Sequence, residues 1–350
     1  MDLTKYKNKG KVGLENLGNT CFLNSCMQVL NNTYELNHFL DSSSYKQYIK
    51  TDIPDVAILE EWNDLRSVMW SGNGIVTPRK FVHNVQQIAK QKNRDLFTGH
   101  AQNDMTEFLL FFMDCIHSSI SRRVKMNING IPQNDLDQTA LKCYEMLKTT
   151  YSNEYSEIME LFYGIYVSEI VSKNSKVVHS VKPENFFVLD LPIIDNTIEN
   201  KNLYDCLDCY VKPELLEGEN AWYNEKTQQK EDVQKQVRFW NFPKIIIITL
   251  NRFTADGMNK IDTNVIFPID DLDLSKYICG YNASSYKYDL YGICNHVGGV
   301  TGGHYTAFVK NVENKWLHYN DRNVEIVSNS SAIQTSAAYC LFYRKKNNIV

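Results

Sequence analysis

Nowhere does this sequence stay apolar for the ~20 residues that a membrane helix needs, and its lysines and arginines never gather into a long basic run. The first absence argues against a membrane-spanning chain, the second against a nucleic-acid or membrane-surface binder. The N-terminus, Met-Asp-Leu-Thr-Lys-Tyr-Lys-Asn-Lys, is charged and has no apolar segment behind it, so no signal peptide is expected. Proline is scarce, 8 among 350 residues, and there is neither a Pro- or Gly-rich linker nor an internal repeat to mark separate modules. Cysteine follows no pairing pattern: the nine are scattered and odd in number. That argues against a disulfide framework and for free thiols in a reducing, intracellular compartment, cytoplasmic or nuclear.

What is present is globular material. A hydrophobic share of 43%, with 21 Tyr, 16 Phe and 5 Trp, supplies a large core, and a net charge of -4 leaves a mildly acidic surface suited to a basic partner. Apolar residues recur at helical spacing at Phe22, Leu23, Cys26, Met27, Val29 and Leu30, and again at Phe108, Leu109, Phe112, Ile116 and Ile120. Residues 121–160 begin polar and Asn-rich and turn helical from about Leu141, the expected place for a variable insertion. From about Leu161 short strands take over: 186–191, 244–250 (apolar enough to be buried on both faces), 265–268, and a hairpin of 305–309 with 315–319. Helices first and strands later predict an α+β architecture with a site in the cleft between the halves.

Cys21 follows small and turn-forming residues in Gly-Leu-Glu-Asn-Leu-Gly-Asn-Thr-Cys-Phe-Leu-Asn, residues 13–24, and opens an amphipathic helix that Asn19 or Thr20 can cap. A thiol at a helix start feels the positive end of the dipole, which favours thiolate. Alone, such a residue reads more readily as a buried core cysteine that happens to begin a helix. At the far end, His304 stands behind two glycines in Thr-Gly-Gly-His-Tyr-Thr-Ala-Phe-Val, residues 301–309, and Lys-Trp-Leu-His-Tyr-Asn-Asp follows at 315–321. A hairpin symmetric about Val312 sets Tyr305 against Tyr319 and His304 against Asn320, with Cβ atoms ~4.5–5.5 Å apart, close enough for an amide oxygen to orient an imidazole. A one-residue slip would bring Asp321 there instead. Cysteine at a helix start, then histidine, then Asn or Asp, is the chain order of papain-like cysteine proteases.

With these residues in place, the sequence resembles the catalytic domain of the ubiquitin-specific proteases. The family's cysteine box resembles residues 13–30 and its histidine box residues 288–309. Between and after them fall Gly-His-Ala-Gln-Asn-Asp-Met-Thr-Glu-Phe-Leu at 99–109, Phe-Pro-Lys-Ile-Ile-Ile-Ile-Thr-Leu-Asn-Arg-Phe at 242–253, Phe267-Pro268 and Tyr-Cys-Leu-Phe-Tyr at 339–343. The resemblance covers residues 12–345. It implies one papain-like α+β catalytic domain, with a helical thumb over about 12–160 and fingers and palm over about 161–345. It also implies that Cys21 attacks the carbonyl of ubiquitin's terminal glycine, that His304 moves the proton, and that Asn320 orients His304 with Asp321 assisting. By the same resemblance Asn16 donates to the oxyanion, Gln102 and Asp104 hold the basic ubiquitin tail, and Gly302 and Gly303 line its narrow passage. The loop 296–303 is expected to move to admit that tail, with His296 structural. The implied partners are ubiquitin and ubiquitinated proteins, with no nucleic acid, no membrane and no cofactor.

The sequence departs from the family pattern at the fingers. Many members hold zinc there with two Cys-x-x-Cys pairs. Here the first falls near residues 166–170, which lack cysteine, and Asn224 and Thr227 stand where the second is expected. Cys206 and Cys209 form a lone pair on a helical stretch, so no zinc site is expected. Asn251 replaces a usual lysine, away from the chemistry. A ubiquitin-binding pseudoenzyme and a protease for a ubiquitin-like modifier remain open as alternatives. The intact Cys21, His304, Asn320 and Asn16 speak against the first, and Gln102 with Asp104 against the second.

Overall fold

Helices fill the first half of the chain and strands the second in the computed structural model, which describes residues 2–193, 201–254, 256–300 and 302–346. Five helices build the thumb: α1 (Cys21–Asn31), α2 (Tyr34–Ser42), α3 (Val56–Ser71), α4 (Arg79–Gln91) and α5 (Met105–Ile120). Every residue of α1 is buried, because the helix runs between α5 and the large sheet. The expected cap on α1 is not made by the Thr20 side chain. The Thr20 hydroxyl accepts from the N–H of Leu17, and the Asn16 carboxamide takes the N–H of Thr20 instead. The apolar stripe of α5 is buried as predicted, and Phe112 meets Trp62 of α3 and Phe81 of α4 edge-on, the favoured geometry for aromatic pairs.

The helix expected from Leu141 already begins at Asp135 as α6 (Asp135–Asn153), because Asn134 caps it by accepting from the N–H of Asp137. α7 (Glu157–Phe162) leads into the strands, and α8 (Leu203–Tyr210) opens on a capping box between Asn202 and Asp205. The single strand expected at 186–191 is two. Val178–Phe186 belongs to a four-stranded finger sheet with Gly164–Ser172, Val233–Asn241 and Glu214–Leu216, whereas Val188–Pro192 belongs to the palm. The chain crosses from fingers to palm at Phe187.

The eight-stranded palm sheet runs in the order Asn323–Ile326, Trp316–Asn320, Gly302–Lys310, Lys287–Gly299, Ala338–Lys345, Ile245–Asn251 and Val188–Pro192, with Leu272–Asp273 paired onto the Lys287 strand. One main core lies between the thumb helices and one face of this sheet, and a second covers the opposite face under α8. Residues 245–250 contribute to both, which is why that strand reads as an unbroken apolar run. A small third core joins α6 to the fingers. The expected α+β arrangement of helical thumb, β-rich palm and extended fingers is the one that forms. No helix among the described residues is long and apolar enough to cross a membrane.

The hairpin that carries His304 has a different register from the expected one. Ala307 pairs with Tyr319, Val309 with Leu317 and Lys310 with Trp316, so the turn centres on Glu313 and not on Val312. Its cause is a wider connection. The Asn311 side chain accepts from the N–H groups of Glu313 and Lys315, and Asn314 takes a left-handed φ of 57°. The shift is two residues, and an even shift leaves every side chain on its original face.

Candidate active site

α1 packs along the strand Gly302–Lys310, which brings its first residue, Cys21, beside Tyr305. The thiol is buried, and burial pushes its pKa above the ordinary value, against the N–H groups of Tyr305, Phe22 and Cys21 itself, which favour thiolate. The nearby Asp321 charge adds to the upward push. The expected lowering by the helix start is therefore reversed. Three backbone dipoles do not repay the desolvation of a buried anion.

His304 and Asn320 meet: the imidazole Nε2 lies 2.8 Å from the Asn320 Oδ1. They are diagonal neighbours in the sheet, and the side chains span the extra distance. A carbonyl oxygen only accepts, so Nε2 carries the hydrogen and Nδ1 keeps the lone pair that a base needs.

Asp321 turns away to a different set of partners. It sits at a φ of 49°, its backbone carbonyl accepts from the N–H of Leu14 at 2.9 Å, and its carboxylate accepts from the Nδ2 atoms of Asn16 at 3.0 Å and Asn24 at 2.8 Å. This contact needs Gly13: a Cβ there would stand 2.2 Å from the carbonyl oxygen of Arg322. Asn16 is exposed, and its Oδ1 accepts from the N–H groups of Gly18 at 3.0 Å and Thr20 at 3.1 Å. Asn24 was not singled out from the sequence. Its signal was an amide three residues after Cys21 in a helix facing the core.

A cleft of about 830 Å³ adjoins this group at Tyr305, between the start of α5, the end of the strand Ile245–Asn251 and the hairpin formed by Lys287–Gly299 and Gly302–Lys310. Asp104 and Gln102 both line it, but both are engaged. Asp104 caps α5, its Oδ1 accepting from the N–H groups of Thr106 at 2.8 Å and Glu107 at 3.0 Å. Its Oδ2 accepts from the hydroxyls of Tyr305 at 3.0 Å and Tyr339 at 2.7 Å. Gln102 Oε1 accepts from the N–H of Gly303 at 2.7 Å. Glu107 lines the same cleft, and its carboxylate has neither a cation nor a hydrogen-bond donor among the described residues; its pKa is raised by burial and then by the Asp104 charge. It too went unremarked as a ligand in the sequence, where it reads as an outward helix position.

The segment 296–303, expected as a movable loop, is largely strand. Gly302 pairs with Gly299 and Gly303 with Gly298, and Thr301 lies outside the described residues. Lys260 reaches the carbonyls of His296 at 2.8 Å and Gly298 at 3.1 Å and fixes the hairpin from the other side. Gly303 is required by its neighbour, since a Cβ there would lie 2.2 Å from the Nε2 of His296. His296 is buried among Phe253, Tyr305 and Tyr339, and burial, then the charge of Lys260, push its pKa down to about 4.

The residues at the fingertip do not fit a zinc ion. Asn224 and Thr227 offer an amide and a hydroxyl where a structural site takes thiolate or imidazole, and both already donate to Glu231 Oε1, at 2.7 and 2.8 Å. His179 Nε2 lies 3.3 Å from the other oxygen of Glu231, and its ring stacks on Trp222. Cys206 and Cys209 lie on α8, remote in the chain from this cluster. Among the described residues no group of three or more His, Cys, Asp or Glu is arranged to hold a metal.

Comparison with known proteins places these features in a family. The profile described as "Ubiquitin carboxyl-terminal hydrolase" matches residues 12–343. Ubiquitin carboxyl-terminal hydrolase 2 of Bos taurus is 32% identical over 344 residues, covering 96% of this chain and 55% of that protein. Ubiquitin carboxyl-terminal hydrolase 21 of Homo sapiens is 32% identical over 356 residues, covering 96% and 61%. This chain therefore spans somewhat over half the length of the curated relatives it matches. Among solved structures, the SAGA DUB module of Ubp8, Sgf11, Sus1 and Sgf73 bound to monoubiquitin matches with a TM-score of 0.76 at 24% identity, over 99% of this chain and 72% of that one. The same module bound to ubiquitin aldehyde matches with a TM-score of 0.74 at 24% identity. At that identity the likeness speaks for the fold.

Proposed function

This chain belongs to the ubiquitin carboxyl-terminal hydrolase family, and from that premise we propose that it is a deubiquitinating cysteine protease whose catalytic domain spans residues 12–345. It hydrolyses the isopeptide or peptide bond after the C-terminal glycine of ubiquitin. The observation that carries this reading is the His304–Asn320 hydrogen bond on the strand that α1 and Cys21 pack against, with a cleft adjoining that strand at Tyr305.

His304 Nδ1 takes the proton of the Cys21 thiol as the sulfur attacks the glycine carbonyl, and Asn320 holds the imidazole through Nε2–H. The free Nδ2 hydrogen of Asn16 and the N–H at the start of α1 stabilise the tetrahedral oxyanion. His304 then gives the proton to the leaving amine, which departs as a thioester forms on Cys21. Water, deprotonated by His304, attacks the thioester and releases the ubiquitin carboxylate. Gln102, Asp104, Gly302 and Gly303 shape the passage for the tail. Asp104 acts by fixing Tyr305 and Tyr339, and Glu107 supplies the carboxylate for a basic side chain. The nine free thiols suit a reducing setting, cytoplasm or nucleus.

The test is incubation with ubiquitin carrying a C-terminal electrophile. Wild type gains one ubiquitin, and Cys21→Ala gains none. Labelling that survives Cys21→Ala overturns the assignment of the nucleophile. An unlabelled wild type overturns the reading.

A further inference from the structure

One turn into the helix that begins at Cys21 lies a polar side chain that core packing does not call for. Asn24 is 2% exposed. Its Nδ2 faces three acceptors: the carboxylate of Asp321 at 2.8 Å and the backbone carbonyls of Glu15 at 3.3 Å and Leu14 at 3.4 Å. Its Oδ1 is buried with no partner among the described residues. Native structures keep few such orphans. Turning the amide over does not relieve this one, because it would set an oxygen against a carboxylate and two carbonyls. The surroundings demand a donor at this point, and the fold tolerates an unsatisfied carbonyl to supply it.

The donor's main target is the Asp321 carboxylate, whose other oxygen holds Asn16. Asn16 is thereby fixed at both ends of its amide: Oδ1 by the N–H groups of Gly18 and Thr20, Nδ2 by Asp321. One Nδ2 hydrogen remains, and no described residue takes it.

We propose that Asn24 is a positioning residue for the hydrolysis: it holds Asp321 so that Asp321 aims the free amide hydrogen of Asn16 at the oxyanion. This rests on the hydrolase reading above. Asn24 touches neither substrate nor sulfur in this role. Its loss lets the carboxylate turn, and the Asn16 amide turns with it, so the cost falls on the transition state and not on the bound substrate.

Asn24→Leu keeps the volume and removes the donor. With a fluorogenic amide of the ubiquitin C-terminus, kcat is expected to fall about tenfold to a hundredfold, part of the loss seen when an oxyanion donor is deleted outright. KM, the affinity for free ubiquitin and the melting temperature are expected to stay near wild type. Asn24→Asp is expected to fall further, since two carboxylates then abut. Combining it with Asp321→Asn removes the clash of two carboxylates, because the new amide at 321 donates to the new carboxylate at 24 and accepts from Asn16, while the carbonyls of Glu15 and Leu14 still face an oxygen. The double variant is expected to recover at least about tenfold in kcat over Asn24→Asp alone. An active wild type beside an Asn24→Leu with kcat within twofold overturns the inference. So does a loss that appears in KM and melting temperature together, or a double variant no better than the single one. A wild type inert to the ubiquitin electrophile overturns the hydrolase reading and this inference with it.

Discussion

Asp104 and Glu107 sit three residues apart at the start of α5, and their surroundings differ. The sequence pointed to Asp104 as the reader of a basic tail, but four hydrogen bonds already saturate its two oxygens. Asp104→Ala removes a helix cap, worth ~1 kcal/mol, and strands the hydroxyls of Tyr305 and Tyr339, each costing ~1–3 kcal/mol if left unpaired. It is expected to destabilise the protein by a few kcal/mol in urea unfolding and, because Tyr305 adjoins His304, to lower kcat as well as raise KM. Glu107→Gln removes only a charge from an exposed position in the cleft. It is expected to raise KM for a ubiquitin substrate severalfold with kcat and stability unchanged. A kinetic silence of Glu107→Gln beside a pure KM effect of Asp104→Ala would return the role to Asp104. Sequence alone could not separate the two carboxylates, because what distinguishes them is the pair of tyrosines that the palm sheet brings from 201 and 235 residues away.

Elements were legible where they obey one period, and less so where a connection sets the geometry. The buried stripes of α1 and α5 and the apolar strand Ile245–Asn251 lie where the pattern put them, since helical spacing and unbroken apolarity report burial directly. The His304 hairpin did not keep its expected register, because the Asn311 side chain widens the turn, yet Asn320 still meets His304 since a two-residue shift keeps the face. The missing metal ligands at the fingertip were visible in the sequence. What replaces them was not, because Glu231, Asn224, Thr227 and His179 come from a hairpin and a separate strand. That cluster ties the hairpin of Trp222–Asn224 and Gln229–Glu231 to the strand Val178–Phe186. Glu231→Ala is expected to speed backbone hydrogen exchange over residues 222–231 and 178–181, leaving exchange in α1 and the alkylation rate of Cys21 unchanged. Unaltered exchange at the fingertip would mean that the stack of His179 on Trp222 holds it without the carboxylate.

At the scale of the whole molecule, the acid limb of stability is written into the packing behind the active-site hairpin. His296 is fully enclosed, and burial, then the ammonium of Lys260, hold its pKa near 4, against the opposing pull of Asp104 and Asp262. An unfolded histidine titrates near ~6.5. Between those values the unfolded chain binds a proton that the native one refuses, so stability is full above about pH 6.5, falls as pH falls, and stops falling below about pH 4. The separation corresponds to a loss of about 3 kcal/mol across the window, of which about 2 kcal/mol is gone by pH 5. His117 and His318 are also depressed by burial and slope in the same direction, so one substitution flattens the limb without abolishing it. His296→Phe keeps an aromatic ring among Phe253, Tyr305 and Tyr339 and removes an Nδ1 that has no partner among the described residues. Urea unfolding at pH 7.5 and pH 5 should therefore show a drop between the two pH values that is smaller in His296→Phe than in wild type by about 2 kcal/mol. An equal drop in both proteins would place the acid sensitivity elsewhere. The same measurement bears on the site, because the ring that must stay neutral packs against Tyr305, whose N–H faces Cys21, and lies against Gly303, the residue before His304. Protonation of His296 thus strains the hairpin that carries His304 before it unfolds the chain, and activity is expected to fall at a higher pH than the unfolding midpoint in wild type, with the two converging in His296→Phe.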